Sequence, residues 1–405
     1  MGCMLELLEY TDKIWDCPNL KNVAVIGAQH IMESTLCLFR NLEKNGLNPD
    51  NVFLLGKCYS TSPSVYEDFK KSGFRVSPLS FSYDSHQSFD ELYKQNIRLF
   101  LLEAVRCLDL TNVEKIILLD DGGYLIQAIH SIDLPQVPVV CIEQTSAGIH
   151  HLKDLELGLP VLNVARSQAK LVLETPFIVE SVLNRFFQYF TPLQIRNKTI
   201  LILGYGVVGR VLEQQLTQLC NILVFDPAYP NRLSFQECLS QADVVLGCSG
   251  STSLRYEDYK SLKEGAILVS VSSSDREFES HLFRQQFPQN EDCLLSFQGK
   301  IHLVQSGFPI NFWRERNNMS LDKIQITMAL LSSAIYQATS EKLSASGIIS
   351  INVDAEKQIM SKFVEISCLK SPSREKIYPL SNLGQLNATS IGARHYQKVS
   401  SYSAY

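Results

Sequence analysis

The chain is 405 residues long, 45% hydrophobic and 20% charged, with a net charge of −5 and a pI near 6.0. That length suits two or three domains with sizeable cores, and the acidic balance gives no general electrostatic reason to bind nucleic acid or an anionic membrane. No window approaches the roughly 18 uninterrupted apolar residues of a membrane span, and the first residues lack the basic start of a signal peptide, so the expected location is the cytoplasm.

In chain order, short apolar runs at residues 23–26, 52–55, 115–119 and 137–141 alternate with helical patterns, which is how buried parallel strands read. A helix is predicted over residues 176–189, followed by a hinge at 191–198 that carries Pro192. Further strands are predicted at 200–203, 222–225, 244–246, 267–271 and 301–304, and a long helical pattern over 319–343 is expected to return to the first half. The fold class is therefore α/β in two domains. Residues 1–190, with 320–370 returning to them, form an α/β substrate domain, and residues 191–319 form a Rossmann-type doubly wound domain. Residues 371–405, rich in Ser, Asn, Gly and Tyr, form a tail expected to dock on a neighbouring subunit. Eleven cysteines make no Cys-x-x-Cys pair and eight histidines no His-x-x-x-His, so neither a disulfide framework nor a metal site is predicted.

The sharpest motif is Gly204, Tyr205, Gly206, Val207, Val208, Gly209, which follows one strand and opens a helix. Gly204 allows the tight turn, Gly206 lets backbone approach a pyrophosphate, and Gly209 lets helix and strand pack, while free N–H groups face the anion. Asp226 follows Gly209 by about 17 positions, close to the roughly 20 expected of a carboxylate that holds ribose hydroxyls. NAD is the predicted cofactor. The charge of Asp226 would repel a 2′-phosphate, although Arg232 lies close in sequence.

Upstream, polar residues fall where strands end: His30, the run from Asp120 to Gly123, the run from Glu143 to Gly148, and Asn163 through Lys170 with Glu174 beyond. Ligands of open α/β sheets sit at the carboxyl ends of strands, so these segments are expected to line one cleft. Several have plainer readings. Lys170 and Glu174 would also suit a surface ion pair, His30 a satisfied core histidine, and Asp120 a helix cap beside a functional Asp121. Ser167-x-x-Lys170 spells a penicillin-recognising motif, but its Lys-Thr-Gly partner is missing.

Taken together, the motifs resemble those of the S-adenosylhomocysteine hydrolases. Asp120-Asp121-Gly122-Gly123 with Ile129-His130, Glu143 to His150, Asn163-Val164-x-x-Ser167-x-x-Lys170, Gly204 to Gly209, and His30 with Thr35 recur in that family's order from Val23 to Leu331. The resemblance implies a substrate domain and an NAD domain closing on a nucleoside thioether. Its 3′-hydroxyl is oxidised, homocysteine is eliminated, water adds, and the ketone is reduced. It would make Lys170, Glu174, Asp121 and His30 catalytic. Gln144, Thr35, Ser60 and Thr61 would contact substrate, and Thr145, Ser146, Ser249 and Gly250 would join the glycine loop and Asp226 around the cofactor. It also implies a homo-oligomer, dimer or tetramer.

The departures are as specific. Gln144 stands for the family's Glu, Ala165 and Thr175 for two asparagines, and Ser273 for a histidine; Gly307-Phe308-Pro309 lacks the Gly-His pair that closes over substrate. Asp275 persists, while Asp226 aligns only with a one-residue gap. His395-Tyr396 echoes the family's end, with Arg394 where a lysine would reach the neighbouring cofactor. Three functions stay open: the hydrolase, an oxidoreductase acting on a sugar or hydroxy compound without elimination, and a catalytically impaired NAD-binding module.

Overall fold

Thirteen strands fall into two sheets in the computed structural model, which describes residues 5–132, 136–285, 294–297, 300–343 and 346–370. The first sheet takes β1 (Val23–Ala28), β2 (Val52–Leu55), β3 (Arg75–Val76), β4 (Lys115–Asp120), β5 (Val139–Glu143) and β6 (Pro160–Asn163). The second takes β7 (Thr199–Leu203), β8 (Asn221–Phe225), β9 (Val244–Gly247), β10 (Ala266–Ser270), β11 (Leu294–Phe297) and β12 (Ile301–Val304). The chain then returns, and β13 (Gly347–Ser350) pairs with β6. Residues 1–363 make one unit and residues 364–405 a second, of which the helical residues through Lys370 are described.

The first sheet runs β13-β6-β5-β4-β1-β2-β3, with every pairing parallel. Every residue of β1, β2 and β5 is buried, as a strand covered by helices on both faces requires. The second sheet runs β11-β12-β10-β9-β7-β8, parallel except for β11 against β12. Each order reverses direction once, between β1 and β4 and between β7 and β9. Such a reversal leaves a crevice at the carboxyl ends of the two strands. The expected α/β class with a doubly wound second sheet is the observed one.

Local chemistry moves several boundaries. The strand expected at 137–141 occupies Val139–Glu143, because Pro138 has no N–H and joins the ladder only by accepting from Ile116 at 2.9 Å. The helix Leu321–Ser340 is buried continuously from Gln325 to Ala338 and packs on the helices Glu6–Ile14 and Glu33–Lys44. Its polar residues find partners there: Tyr336 donates to Asp12 at 2.5 Å and Gln325 accepts from the Leu7 N–H at 3.3 Å.

The two sheets meet through charged and aromatic groups. Asp275, after β10, accepts the Phe89 N–H at 3.1 Å, so a carboxylate of one sheet caps the start of the helix Phe89–Cys107 on the other. Arg284 pairs with Asp275 at 2.6 Å, both side chains at most 2% exposed, and also donates to the Gln87 carbonyl at 3.1 Å. Phe308, from the segment after β12, sits in the core of the first sheet against Tyr59 and Phe89. The return to the first sheet therefore begins well before residue 319, where the sequence places the boundary.

Removing one partner of a buried pair leaves the other charge unsolvated. Asp275→Ala is accordingly expected to lower unfolding stability by about 3–5 kcal/mol, read by urea denaturation. A loss below 1 kcal/mol would show that the contact does not hold the sheets together.

Candidate active site

At the first sheet's crevice, β1 leads to His30 and β4 to Asp120 and Asp121. Successive strand residues point to opposite faces. Asp120 turns back, its Oδ2 accepting the Ile126 N–H at 2.9 Å, while Asp121 turns into the cleft. There Lys57 Nζ donates to Asp121 Oδ1 and Gln144 Nε2 donates to Asp121 Oδ2. His30 Nε2 lies 3.4 Å from that same Oδ2, and its Nδ1 lies 2.5 Å from Ser60 Oγ. The partners assign the proton to Nε2, facing the carboxylate, with Ser60 donating to Nδ1. Phe312 stacks on the His30 ring with centroids 4.4 Å apart.

These contacts fix the charges. Burial alone would raise the Asp121 carboxyl, but the Lys57 ammonium, helped by His30 and Lys170, outweighs it and holds Asp121 well below the usual carboxylate range. Burial would lower Lys57, and Asp121 outweighs it in turn, keeping the ammonium charged. His30 is pushed down to about 4, first by burial, which Asp121 offsets only in part, and then by Lys57 and Lys170. It is neutral at physiological pH. Ser60, His30 and Asp121 are connected like a nucleophile triad, yet Ser60 is fully buried and has no face to offer an electrophile. Thr35 donates to the His30 carbonyl at 2.7 Å and Thr61 to the Lys57 carbonyl at 2.9 Å, so both hold the loops that carry the site.

Lys170 and Glu174 bound a π-helical turn. Such turns are uncommon and often sit at functional sites. Lys170 Nζ donates to the Gln144 carbonyl at 2.8 Å and pairs with Glu174 at 3.1 Å; Thr327 donates to the other Glu174 oxygen at 2.5 Å. At 13% and 10% side-chain exposure this is no solvated surface pair. Gln144 thus links the Asp121 cluster, through its side chain, to Lys170, through its backbone. Its Oε1 is buried without a partner among the described residues.

Behind the cleft, Asp120 and Glu143 are register neighbours on β4 and β5, both fully buried. One Glu143 oxygen accepts from Thr145 N at 2.7 Å and Thr145 Oγ1 at 2.6 Å; Asp120 Oδ1 and Glu143 Oε2 have no partner. Burial raises the Asp120 carboxyl to about 7, and burial with the Asp120 charge raises Glu143 well above its ordinary range. Thr145 also caps the helix Ser146–Leu152 by accepting from the Gly148 N–H at 2.9 Å. Gly148 leaves room for the acid, since a Cβ there would lie 2.2 Å from the Glu143 carboxyl carbon.

The second sheet's crevice carries the glycine loop. Gly204 adopts φ +99°, and a Cβ on it would lie 2.7 Å from Ser249 Cα. A Cβ on Gly209 would lie 2.2 Å from the Gly204 carbonyl oxygen, whereas above Gly206 there is nothing within 4 Å. The helix Val207–Leu216 starts at Gly206 with no side-chain cap, and Val207 is exposed. Asp226 Oδ2 accepts the Tyr205 N–H at 2.6 Å, which places the acid beside the loop. On the far side, buried Glu277 accepts from Gly250 N at 2.7 Å and from Ser249 Oγ at 3.0 Å.

The loops at the two crevices are linked. Arg276 spans them, pairing with Asp90 at 2.9 Å and donating to Tyr124 OH at 3.2 Å and the Gly250 carbonyl at 3.5 Å. Arg314 donates to the Cys58 carbonyl at 2.9 Å. His30, Ser60, Asp121, Gln144, Lys170 and Glu174 form one connected cluster, as do Gly204 through Gly209, Asp226, Ser249 and Gly250; Thr145 and the exposed Ser146 stand between Gln144 and the helix that follows. Ser273 is exposed and Ala165 buried. Arg394, His395 and Tyr396 lie outside the described residues. Lys57 and Phe312 escaped the sequence reading, although Lys57 lies two residues past the end of β2, the strand next to β1, where a ligand site is expected.

Two doubly wound sheets, one with a glycine loop and one with a buried acid–base cluster, define an α/β protein with a Rossmann-type second sheet. No family model matches the chain. It is 33% identical over 404 residues to the uncharacterized protein Rv0104 of Mycobacterium tuberculosis H37Rv, covering 96% of this chain and 77% of that protein, and the uncharacterized protein MT0113 of strain CDC 1551 matches equally. The chain belongs to their family. Among solved structures, the dipicolinate synthase A chain of Bacillus subtilis is 12% identical, with a TM-score of 0.39 over 79% of this chain and 97% of that one. The NAD+-bound 3-phosphoglycerate dehydrogenase of Entamoeba histolytica is 12% identical, with a TM-score of 0.34 over 79% and 99%.

Open space over Gly206 separates folding from binding. Gly206→Ala is expected to leave unfolding stability within about 1 kcal/mol while weakening NADH binding at least about tenfold, measured by fluorescence titration; undiminished affinity would place the nucleotide elsewhere. The buried acid pair predicts a pH effect. Asp120, at about 7 when folded against 3.8 when unfolded, contributes stability below the unfolded value that is lost as the pH rises through about 7. Glu143→Gln removes the second titrating acid and keeps an acceptor for Thr145. Glu143 is held protonated when folded but ionises near 4.5 when unfolded, so the variant's unfolding stability relative to the native chain should grow as the pH is raised above about 4.5. A difference that stays flat with pH would mean that burial does not raise the Glu143 carboxyl.

Proposed function

We propose that this protein is an NAD-dependent oxidoreductase that oxidises a secondary alcohol of a small nucleoside-type substrate held between the two sheets. The observation that carries the proposal is that Arg276 links two crevices, one with an uncapped helix start and space over Gly206, the other with the cluster of His30, Asp121, Gln144 and Lys170. These residues fit a dinucleotide. Gly204 to Gly209 would hold its pyrophosphate, Asp226 a ribose, and Ser249, Gly250, Thr145 and Ser146 its nicotinamide end. A bound nicotinamide supplies hydride acceptance. The chain supplies the rest: Gln144 Oε1 accepts from a neighbouring substrate hydroxyl, Lys170 passes a proton to Glu174 and its freed Nζ lone pair takes the proton of the reacting hydroxyl as the hydride departs, the Gln144 carbonyl aims that nitrogen, and Phe312 shields His30 from water.

A second reading, the adenosylhomocysteinase cycle, is favoured by the order of motifs and by the retention of His30, Asp121, Lys170 and Glu174. Against it, both Asp121 oxygens are already taken by Lys57 and Gln144, and His30 is engaged at both nitrogens. An acid–base at the leaving group needs one of them free. Action as a homo-oligomer in the cytoplasm belongs to the same proposal.

Incubation with NAD and either adenosine or adenosylhomocysteine separates the readings. NADH absorbance without thiol release is the expected result; catalytic thiol release would establish the second reading, and neither signal would overturn both for these substrates. Where NADH forms, Lys170→Ala should slow it by about 10²–10⁴.

A further inference from the structure

Lys57 occupies an unusual place for a lysine. Its side chain is 4% exposed, it leaves the strand beside β1, and its ammonium meets Asp121, also 4% exposed, at the centre of the cleft. Lysines are seldom buried without a paired charge, and an isolated buried ammonium would lose its proton. Here the pair is completed from every side. Gln144 donates to the second Asp121 oxygen, His30 faces that oxygen at 3.4 Å, and the Thr61 hydroxyl pins the Lys57 carbonyl at 2.9 Å. The other titratable groups that act on this cluster are Tyr59 on the Lys57 loop, Asp120 at the end of β4, and Lys170 on the π-turn. Phe312, which stacks on His30, brings no charge.

Three consequences follow from that geometry. The Asp121 carboxylate is saturated, so it cannot serve as the base that removes a substrate proton. His30 has a cation on the far side of its carboxylate neighbour, so the carboxylate cannot draw a proton onto the ring. The remaining cation, Lys170, is tied to a flexible-chain carboxylate and a carbonyl, and its contacts can exchange.

We propose that Lys57 is a positioning residue that locks the centre of the site, fixing Asp121 against Gln144 and His30, and so leaves proton exchange with the substrate to the Lys170–Glu174 pair. The assignment rests on the redox reading, but the lock itself needs no substrate to be observed. It predicts that removing the Lys57 charge lets the His30–Asp121 pair take up a proton near neutral pH.

The test is a pH titration of the full chain labelled in histidine, following the His30 ring signals by NMR, with His30→Gln to assign them. In the native chain the His30 signals are expected to stay flat above about pH 5, consistent with its low proton affinity. In Lys57→Met they should titrate with a midpoint raised by about one to three pH units, and Lys57→Arg should restore the flat response. Lys57→Gln, which can still donate to Asp121, serves if the Met variant does not fold. Signals that remain flat in a folded Lys57→Met or Lys57→Gln chain would overturn the lock. A lock that holds while no alcohol yields NADH would instead count against the redox reading alone.

Discussion

The Asp275 carboxylate determines how the two sheets meet. A helix start offers unpaired N–H groups, and the helix Phe89–Cys107 of the first sheet directs its first one at a carboxylate from the second. Arg284 neutralises that carboxylate and reaches the Gln87 carbonyl, so four groups, two from each side, satisfy one another in a buried interface. With this contact in place, Arg276 falls beside Asp90 and Tyr124 and reaches the Gly250 carbonyl, so the loop after β9 is tied to the first sheet.

The site itself is governed by paired charges. Lys57 with Asp121 and Lys170 with Glu174 place two cations and two anions at the first crevice, and Arg276 with Asp90 adds another balanced pair at the seam. Such pairs gain little net stability over apolar packing, but breaking one is costly, so each fixes geometry. Among the described residues, Gln144 Oε1 is left without a partner at this crevice, with Asp120 Oδ1 and Glu143 Oε2 behind it. An unpartnered buried acceptor is paid for only if something supplies a donor, and a substrate hydroxyl is a neutral donor that disturbs none of the balanced pairs.

Much of this was legible in the sequence, for identifiable reasons. The glycine loop reads well because Gly204 and Gly209 are demanded by close backbone approach, a local requirement. Strands such as β4 and β10 read well because burial on both faces forces continuous apolar runs. By contrast β3, β6 and β13 are two to four residues long and carry a proline, a glycine or an exposed residue, so pairing with a neighbour rather than composition makes them strands. Lys170 and Glu174 have the spacing of a helical surface pair, and only the π-turn and the cover from the helix Leu321–Ser340 distinguish them from one. Lys57 was not legible at all. Nothing along the chain indicates which of its basic residues meets Asp121, because that contact depends on the order of strands, with β2 beside β1 and β1 beside β4.

The most direct test of the central claim is a crystal structure of the full chain grown with NADH. The account predicts the pyrophosphate over Gly206 at the start of the helix Val207–Leu216, a ribose near Asp226, and the nicotinamide ring in the cleft toward Gln144 and Lys170. A nucleotide bound away from the glycine loop, or a nicotinamide directed out of the cleft and away from Lys170, would contradict it.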